Sequence, residues 1–330
     1  FAEVIDEVPF IFQQRNISFR VQLQANEGKQ ICYHLRPTSR GIYGFGQIRI
    51  FVTGRIGLLS RRYTCGEEQD IKVYPSYLML HRYELLAMSD NLTELGIKRI
   101  RRVGHHTEFE QIKEYVKGDD YRTINWKASA RRHELMVNVY QDERSQQIYS
   151  AIDKGRVMQQ AFRGMTLLDY AINASLVLSY VAMRKEDKAG IVTFNEHFDS
   201  FVPASKAPGQ MQTLLENLYS QQTTFGETDF SSLCVHFNKH VSKRSFLVLY
   251  TNFSSMGSMN RQLAYLQQLN RQHRLLVVFF EDADMKTYIA SPAKDTEGYY
   301  RHVIAEKFAF EKRLIVSTLK QNGIYSLLTT

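Results

Sequence analysis

Three acidic side chains in the middle of the chain have the residue types for catalysis. Asp119 and Asp120 are adjacent and follow Gly118, and Glu108 precedes them by a short distance along the chain. Paired carboxylates can hold a divalent ion or act as general acid and base. A metal-dependent hydrolase that uses these three acids is therefore one alternative for the function, although a Gly-Asp-Asp triplet alone is a weak signal for such a site.

A structural use of the two aspartates is favoured by the number of cations close to them in the sequence. An aspartate can cap a helix by accepting from its free backbone N–H groups, and it can pair with nearby basic side chains. Trp126, the only tryptophan of the chain, is predicted to be a large apolar anchor beside them. The basic residues that can pair with Asp119 or Asp120 are Arg122, Lys127 and Arg131. We therefore expect a helix-capping, ion-paired element that joins two domains.

Histidines and serines offer little further chemistry. His105 and His106 are adjacent and lie near Glu108, but no third ligand at a helical spacing supports a metal site. The chain contains no glycine-rich phosphate-binding loop and no serine in a nucleophile-elbow motif. The sequence thus predicts no catalytic residue, no cofactor, no metal and no small-molecule substrate.

The formal net charge of +8 and a basic run at residues 98–102 favour acidic partners. The run could bind anionic lipid or nucleic acid with an affinity that falls steeply with salt. Nucleic acid is disfavoured because no known binding module surrounds the run. The three cysteines of the chain are few, odd in number and far apart, which argues against a disulfide framework and favours a reducing compartment, the cytoplasm.

The positions of apolar residues divide the chain into two kinds of structure. In residues 1–76, short segments alternate apolar and polar residues, as at Ile31–Leu35 and Ile48–Val52, which predicts a small antiparallel β-sandwich. Residues 77–140 are predicted to be a connector that carries the Gly-Asp-Asp element. In residues 141–330, apolar strands alternate with helices, which predicts a doubly wound, mostly parallel sheet with helices on both faces.

One apolar segment of the second domain has nearly the length of a membrane span. Met165–Met183 carries a single charge, Asp169. At a helical period its polar residues form one stripe, which includes Thr166, Asn173 and Arg184, and a wide apolar face remains. We therefore predict a buried helix that packs against the sheet, with a transmembrane helix as the less favoured alternative.

The central motif also identifies a family. Residues 118–132 have the sequence Gly-Asp-Asp-Tyr-Arg-Thr-Ile-Asn-Trp-Lys-Ala-Ser-Ala-Arg-Arg, which closely resembles the signature of the domain-of-unknown-function 58 family. The signature residues carried over are Gly118, Asp119, Asp120, Arg122, Asn125, Trp126, Lys127 and Arg131. Other segments that resemble the family are Arg40–Tyr43, Gly57–Leu59, Thr107–Phe109, Lys113–Tyr115 and Glu134–Val137.

The resemblance implies an architecture and a class of partner. In that family the segment after the signature is a von Willebrand factor A-like domain, and members are often encoded beside MoxR-type AAA+ ATPases. Members usually carry two membrane-spanning helices upstream of this region. The resemblance therefore implies a membrane-anchored, non-enzymatic, bacterial-type scaffold that binds other proteins, with this region in the cytoplasm and a MoxR-type AAA+ ATPase as its partner.

A von Willebrand factor A-like domain also implies where an ion site would lie. Such domains often hold Mg²⁺ with Asp-x-Ser-x-Ser in the first loop, a threonine in the second and an aspartate in the third. The first loop of this chain keeps Asp153 but has Gly155 and Val157 in place of the serines. Thr228 matches the second-loop threonine, and Asn252 takes the place of the third-loop acid. The resemblance thus implies a degenerate ion site.

Two cations flank the remaining acid of this first loop. Lys154 and Arg156 add positive charge near the position of the ion, which disfavours a bound cation. We therefore expect these loops to hold no divalent ion tightly. If the surface is used, a carboxylate of a partner protein could pair directly with Lys154 or Arg156.

The structural interpretation of the Gly-Asp-Asp element gives a stability prediction. We expect Asp120→Ala to lower the free energy of unfolding by about 1–3 kcal/mol, because the substitution removes a cap or a partly buried ion pair. Chemical denaturation of the variant and the wild type measures this difference. Unchanged stability together with the loss of a measurable hydrolytic activity would instead support catalysis by the aspartates.

Overall fold

The computed structural model of the protein covers most of the chain. The described residues are 1–13, 17–24, 27–54, 57–75, 107–116, 121–142, 145–162, 164–280, 283–291 and 295–329. Within these ranges the chain forms antiparallel sheets near its N-terminus, a β-hairpin with a short helix, and a six-stranded sheet with helices on both faces.

The N-terminal part consists of strands in two antiparallel sheets. The strands are β1 (Ala2–Asp6), β2 (Ser18–Val21), β3 (Gly41–Phe45), β4 (Ile48–Thr53), β5 (Ser60–Cys65) and β6 (Gln69–Val73). The order in the larger sheet is β2-β1-β4-β5, and β3 pairs with β6 in the smaller one. Tyr43 of β3 is only 1% exposed, and its ring centroid lies 5.1 Å from that of Phe12. This aromatic pair forms part of the interior of the N-terminal domain.

The alternating segment Ile31–Leu35, which predicts a strand, does not form one. No regular element is present between residues 29 and 40. Tyr33 instead donates a hydrogen bond from its hydroxyl to the carboxylate of Asp6, and its ring lies 5.4 Å from that of Phe19. Side-chain contacts to β1 and β2 therefore take the place of a strand ladder in this segment.

A hairpin and a short helix lie between the two domains in the sequence. Strand β7 (Thr107–Glu114) pairs antiparallel with β8 (Met136–Asp142), and helix α1 (Trp126–Arg132) lies between them in the chain. Met136 and Val137 of β8 are almost completely buried. Because consecutive strand residues point to opposite faces, both faces of β8 are covered at this point.

The N-cap of α1 is Asn125. Its side-chain oxygen accepts from the backbone N–H of Ala128 at 3.0 Å, and its amide donates to Asn138 at 2.8 Å. The asparagine of the same motif thus occupies the N-cap position of α1. Asp119 and Asp120 lie outside the described residues, so the expectation that one of them caps a helix or forms an ion pair stays a prediction.

The C-terminal part alternates strands and helices. Its strands are β9 (Gln147–Asp153), β10 (Ala161–Phe162), β11 (Met165–Thr166), β12 (Lys188–Phe194), β13 (Phe198–Ser205), β14 (Phe246–Tyr250), β15 (Arg274–Phe280) and β16 (Tyr325–Thr329). Its described helices are α2 (Leu167–Arg184), α3 (Gln210–Leu218), α4 (Phe230–His240), α5 (Met256–Gln272), α6 (Ala283–Ala290) and α7 (Thr296–Gln321).

The main sheet has the order β13-β12-β9-β14-β15-β16. All neighbouring strands are parallel except β12 and β13, which form an antiparallel edge. From β9 the chain adds β12 and then β13 on one side of the sheet. From β14 it adds β15 and then β16 on the other side, as in a doubly wound α/β fold. The reversal therefore lies between β9 and β14.

Successive side chains of the central strands enter two different apolar cores. On β14, Leu247 and Leu249 pack with residues of α4, α5 and α7, whereas Val248 and Tyr250 pack with residues of α2 and α3. Strands that are buried on both faces need apolar residues at every position, which explains the continuous apolar runs in the sequence. The expected fold class, a small antiparallel β-domain followed by a mostly parallel sheet with helices on both faces, is confirmed.

The apolar segment Met165–Met183 forms most of α2, which packs against β9 and β12. Thr166 and Asp169 form a capping box that starts the helix. Leu168 and Ile172 are almost completely buried. The prediction of a buried helix against the sheet is therefore confirmed. In the described part of the chain, no helix combines the length and the hydropathy that a membrane span requires.

Arg40 joins the N-terminal domain to the helices of the main sheet. Its side chain is only 10% exposed, and its Nε donates to Oδ1 of Asp169 at 2.8 Å. Its Nη1 donates to the carbonyl oxygens of Leu218 and Tyr219, each at 3.2 Å, and to that of Gln221. The carbonyls of Leu218 and Tyr219 lie at the end of α3, where a helix leaves acceptors unpaired, and that of Gln221 lies in the segment after the helix. One guanidinium thus contacts the first turn of α2 and the last turn of α3.

A second contact between the two domains lies beside Arg40. Lys72 donates to the carboxylate of Glu216 at 3.1 Å, and the Tyr74 hydroxyl donates to the same carboxylate. The ring of Tyr74 lies 5.5 Å from that of Tyr219. Polar and aromatic contacts to α3 therefore supplement the buried arginine.

The buried position of Arg40 predicts a large loss of stability on its removal. We expect Arg40→Ala to lower the free energy of unfolding by about 3 kcal/mol, because the helix carbonyls and Asp169 lose a buried charged partner. Chemical denaturation measures the change. Arg20→Ala is a matched control, because Arg20 also forms an ion pair. Its Nε lies 3.3 Å from Oε1 of Glu3, but its side chain is 84% exposed. For the control we expect a change within about 1 kcal/mol, and equal effects of both variants would contradict the prediction.

Candidate functional site

The candidate site lies where the strand order of the main sheet reverses. Asp153 is the last residue of β9, and Thr251 directly follows β14. In open α/β sheets, ligands bind in the crevice at the carboxyl ends of the strands at this reversal. The loops that follow β9 and β14, and the loop that precedes α4, therefore form the site that the fold favours.

The centre of this site is a fully buried carboxylate. Asp153 is 0% exposed. Its Oδ1 accepts from the hydroxyl of Thr228 at 2.6 Å and from the backbone N–H of Gly155 at 2.8 Å. Its Oδ2 accepts from the hydroxyl of Thr251 at 2.6 Å. Three loops thus meet on one side chain, and each of its oxygens has a protein donor.

Burial raises the pKa of the Asp153 carboxyl, because removal from water disfavours the charged form. The hydrogen bonds from Thr228, Thr251 and Gly155 act in the opposite direction. All three donors are neutral groups. The Asp153 carboxyl group is therefore held by hydrogen bonds from neutral groups of three loops.

Gly155 allows the first and second loops to approach each other closely. A Cβ atom at this position would lie 2.0 Å from Oγ1 of Thr228 and 3.1 Å from Oδ1 of Asp153. The backbone of Gly155 has φ of −68°, which other residues adopt readily, so space and not backbone conformation requires glycine here. The serine of an ion-binding loop would therefore not fit unless Thr228 moved.

Lys154 does not have the role that the sequence suggests. Its side chain is buried, and its Nζ donates to Asp199 at 2.6 Å and to Gln221 at 2.8 Å. Partial burial acts to raise the pKa of Asp199, but the Lys154 ammonium group and the Thr193 hydroxyl together outweigh it and lower the pKa. The expectation that Lys154 could pair with a partner protein is wrong, because the fold places an acid of β13 beside it.

Asn252 provides a polar atom at the end of β14. It is 7% exposed, and its Oδ1 is the one buried side-chain polar atom, within the described ranges, that has no hydrogen-bond partner. The other residues around the adjacent cavity of about 10 Å³ are Phe253, Phe279, Lys312, Ile315 and Leu328. This volume is close to that of one water molecule. Asn252 therefore provides a buried acceptor to which no donor of the described residues is bonded.

Two exposed side chains flank the buried carboxylate. The backbone N–H of Arg156 donates to the carbonyl of Gly226 at 3.1 Å, which holds the first loop against the second, while its side chain is exposed. Phe225, next to Gly226, is 79% exposed. Sequence reasoning missed Phe225 and Thr251 as site residues. Their positions next to predicted loop residues were the available signal.

The residues present do not fit a divalent-metal centre. Mg²⁺ requires several oxygen ligands in nearly octahedral order. Both oxygens of Asp153 already accept from protein donors, the Thr228 hydroxyl donates to that carboxylate, and Gly155 offers no hydroxyl. In the part of the chain that the structure describes, no three histidine, cysteine or acidic side chains form a cluster that could hold a metal.

The signature element presents its large residues to solvent. Trp126 is 70% exposed, so the expectation of an apolar anchor is wrong, and it occupies the first turn of a short helix at the surface. Lys127 and Arg131 are also exposed. The residues of the predicted element or of the hydrolase alternative that lie outside the described residues, or whose side chains do, are His105, His106, Glu108, Gly118, Asp119, Asp120 and Arg122.

Comparison with known proteins gives a family. The family model described as "Protein of unknown function DUF58" matches residues 111–286. The "Uncharacterized protein YeaD" of Bacillus subtilis (strain 168) is 23% identical over 189 residues, which are 57% of this chain and 44% of that protein. The chain thus spans less than half the length of this curated relative.

Solved structures similar to this chain include von Willebrand factor A domains. The SpRpn10 VWA domain has a TM-score of 0.32 and 10% identity, covering 42% of this chain and 76% of its own. The conserved hypothetical protein BatB from Bacteroides thetaiotaomicron has a TM-score of 0.31 and 14% identity, covering 41% of this chain and 67% of its own. The fold assignment above rests on the strand order of the main sheet.

The close approach at Gly155 predicts a coupling between two loops. We expect Gly155→Ala to lower the free energy of unfolding by about 1–3 kcal/mol, because the new methyl group displaces the Thr228 hydroxyl from Asp153. In a Thr228→Ala background the same substitution should have a clearly smaller effect, since Oγ1 is gone. A double-mutant cycle by chemical denaturation measures this coupling. Equal effects of Gly155→Ala in both backgrounds would show that the loops are not in contact.

Proposed function

This chain belongs to the DUF58 family, as its central motif suggests, and we propose that it is a non-enzymatic scaffold that binds a partner protein without a divalent ion. The binding surface is the carboxyl edge of β9 and β14. One observation carries the proposal, namely that the Asp153 carboxylate is fully buried and accepts from three neutral protein donors. A carboxylate that is buried and already accepts three hydrogen bonds is poorly placed to bind a metal ion shared with a partner.

The exposed residues beside Asp153 support binding of a protein rather than a small molecule. Arg156 and the ring of Phe225 are both at the surface. Arginine and aromatic side chains supply much of the binding energy in protein interfaces. The cavity beside Asn252 is about 10 Å³, which is far too small for a metabolite. A partner segment with an acidic residue for Arg156 and an apolar residue for Phe225 therefore suits this edge.

The leading partner is a MoxR-type AAA+ ATPase, which the family resemblance suggests. Since Lys154 is already paired with Asp199, Arg156 is the cation of the first loop that we assign to a partner carboxylate. We also propose that the full-length protein is anchored to the membrane by helices upstream of this region, which would then lie in the cytoplasm. Two of the three cysteines, Cys32 and Cys65, are exposed and unpaired, which suits a reducing compartment.

Binding to the ATPase should be independent of magnesium. The test uses a MoxR-type AAA+ ATPase from the same organism in its nucleotide-free form, so that EDTA acts on this chain alone, and measures Kd with Mg²⁺ and with EDTA. We expect equal affinities under both conditions. We also expect Arg156→Gln and Phe225→Ala each to weaken binding at least tenfold, or by about 1.4 kcal/mol.

Arg271→Gln is the matched control, because Arg271 is exposed in the last turn of α5, at the opposite edge of the sheet. It should leave Kd unchanged. Calorimetric titration of Mg²⁺ into the purified chain gives an independent check. Micromolar Mg²⁺ binding that Asp153→Ala abolishes, or loss of partner binding in EDTA, would contradict ion-independent binding. Normal binding by both Arg156→Gln and Phe225→Ala would place the interface elsewhere.

A further inference from the structure

We propose that the tip of the β4–β5 hairpin inserts into the surface of an anionic lipid bilayer. The tip is formed by Leu58 and Leu59, which are 82% and 84% exposed. Two adjacent leucines with this exposure are unusual in a chain with large buried cores, and no part of the proposed partner site uses them. The inference is independent of the proposed function, because the hairpin belongs to the N-terminal domain.

The hairpin holds both leucines at one end of its sheet. Strands β4 and β5 pair from Ile48–Cys65 to Thr53–Ser60, so the chain reverses between Thr53 and Ser60. Gly57 has a positive φ of 75°, and its N–H donates to the carbonyl of Gly54 at 3.0 Å, which tightens the turn. The turn therefore projects the leucines beyond the last paired residues of the strands. We name Leu58 and Leu59 the hairpin tip.

The charges of the hairpin segment itself are all positive. Ile48–Cys65 contains four arginines and no acidic residue. Arg49, at the end away from the leucines, is paired with Glu7, and Glu3 of the neighbouring strand β1 is paired with Arg20. Arg61 and Arg62 are the second and third residues of β5, directly after the leucines, and both are exposed. The guanidinium of Arg61 lies 5.1 Å from the ring centroid of Tyr63. At about 3.3 Å per strand residue, these guanidinium groups lie within reach of lipid phosphates when the leucines enter the interface. The apolar hairpin tip would lie at the boundary of the acyl chains, and the arginines behind it would lie at the level of the anionic headgroups.

The shape of the hairpin tip favours a bilayer over a protein partner. A stable protein interface needs roughly 800 Å² on each side, with polar groups that pair specifically. The hairpin tip instead offers two apolar side chains on a projecting turn, followed by arginines that suit phosphates at any lateral position. A fluid headgroup layer accepts such a tip without a complementary groove.

Vesicle co-sedimentation with the full chain tests the proposal. We expect binding to phosphatidylcholine vesicles that contain phosphatidylserine, weaker binding to phosphatidylcholine alone, and an affinity that decreases with salt. The double variant Leu58→Ser/Leu59→Ser should bind the anionic vesicles at least tenfold more weakly. Arg61→Ser and Arg62→Ser should each weaken binding about fivefold and reduce the salt dependence.

Val235→Ser is the matched control, because Val235 on α4 is an apolar residue with 62% exposure in the other domain. It should bind as the wild type does, and circular dichroism should show that all variants fold. Absence of vesicle binding by the wild type would overturn the proposal. Binding that survives the leucine substitutions but is lost when the basic residues 98–102 are neutralised would overturn it as well. If the leucine variant instead changes only the oligomeric state in analytical ultracentrifugation, the hairpin tip is a contact between copies and the proposal is wrong.

Discussion

The buried carboxylate of Asp153 is the constraint on which the arrangement of the site depends. A carboxyl group that is removed from water is tolerated only if hydrogen bonds from the protein replace its hydration. Here the donors come from three separate loops, through Thr228, Thr251 and the N–H of Gly155. The loops after β9 and β14 and before α4 must therefore stay together. This requirement also explains the glycine at position 155, because a Cβ atom there would collide with Thr228.

A second buried charge, that of Arg40, links the N-terminal sheets to the helices of the main sheet and is stabilised in a different way. Arg40 pairs with Asp169 and also donates to backbone carbonyls at the end of α3. Burial lowers the pKa of the Arg40 guanidinium, and the charge of Asp169 opposes that shift. The carboxylate at position 153 is thus satisfied by neutral donors, whereas Arg40 is satisfied by a countercharge and helix-end dipoles. Both arrangements link elements that are distant in sequence, so both make the fold specific.

The polar groups at the edge of the main sheet are the basis of the proposed protein-binding role. The buried acid donates nothing and faces neutral partners, Lys154 is neutralised by Asp199, and the exposed residues are an arginine and a phenylalanine. The hairpin tip adds a second exposed surface with a different chemistry, apolar at its end and basic behind it. If both proposals hold, partner binding at one surface and lipid binding at the other would bring the partner close to a membrane.

The amino-acid sequence by itself determined the fold class, the family and the burial of α2, because buried strands and one-sided helices leave periodic patterns and the signature motif is long. It also showed that Gly155 and Val157 lack the hydroxyls of an ion-binding loop. Only the tertiary structure decided which groups meet, since hydrogen-bond partners far apart in the chain leave no spacing to detect. It brought Thr251 to Asp153, gave Lys154 to Asp199 and Arg40 to α2 and α3, and left Trp126 exposed. Local patterns report burial, whereas the pairing of polar groups is settled only when the loops are brought together in space.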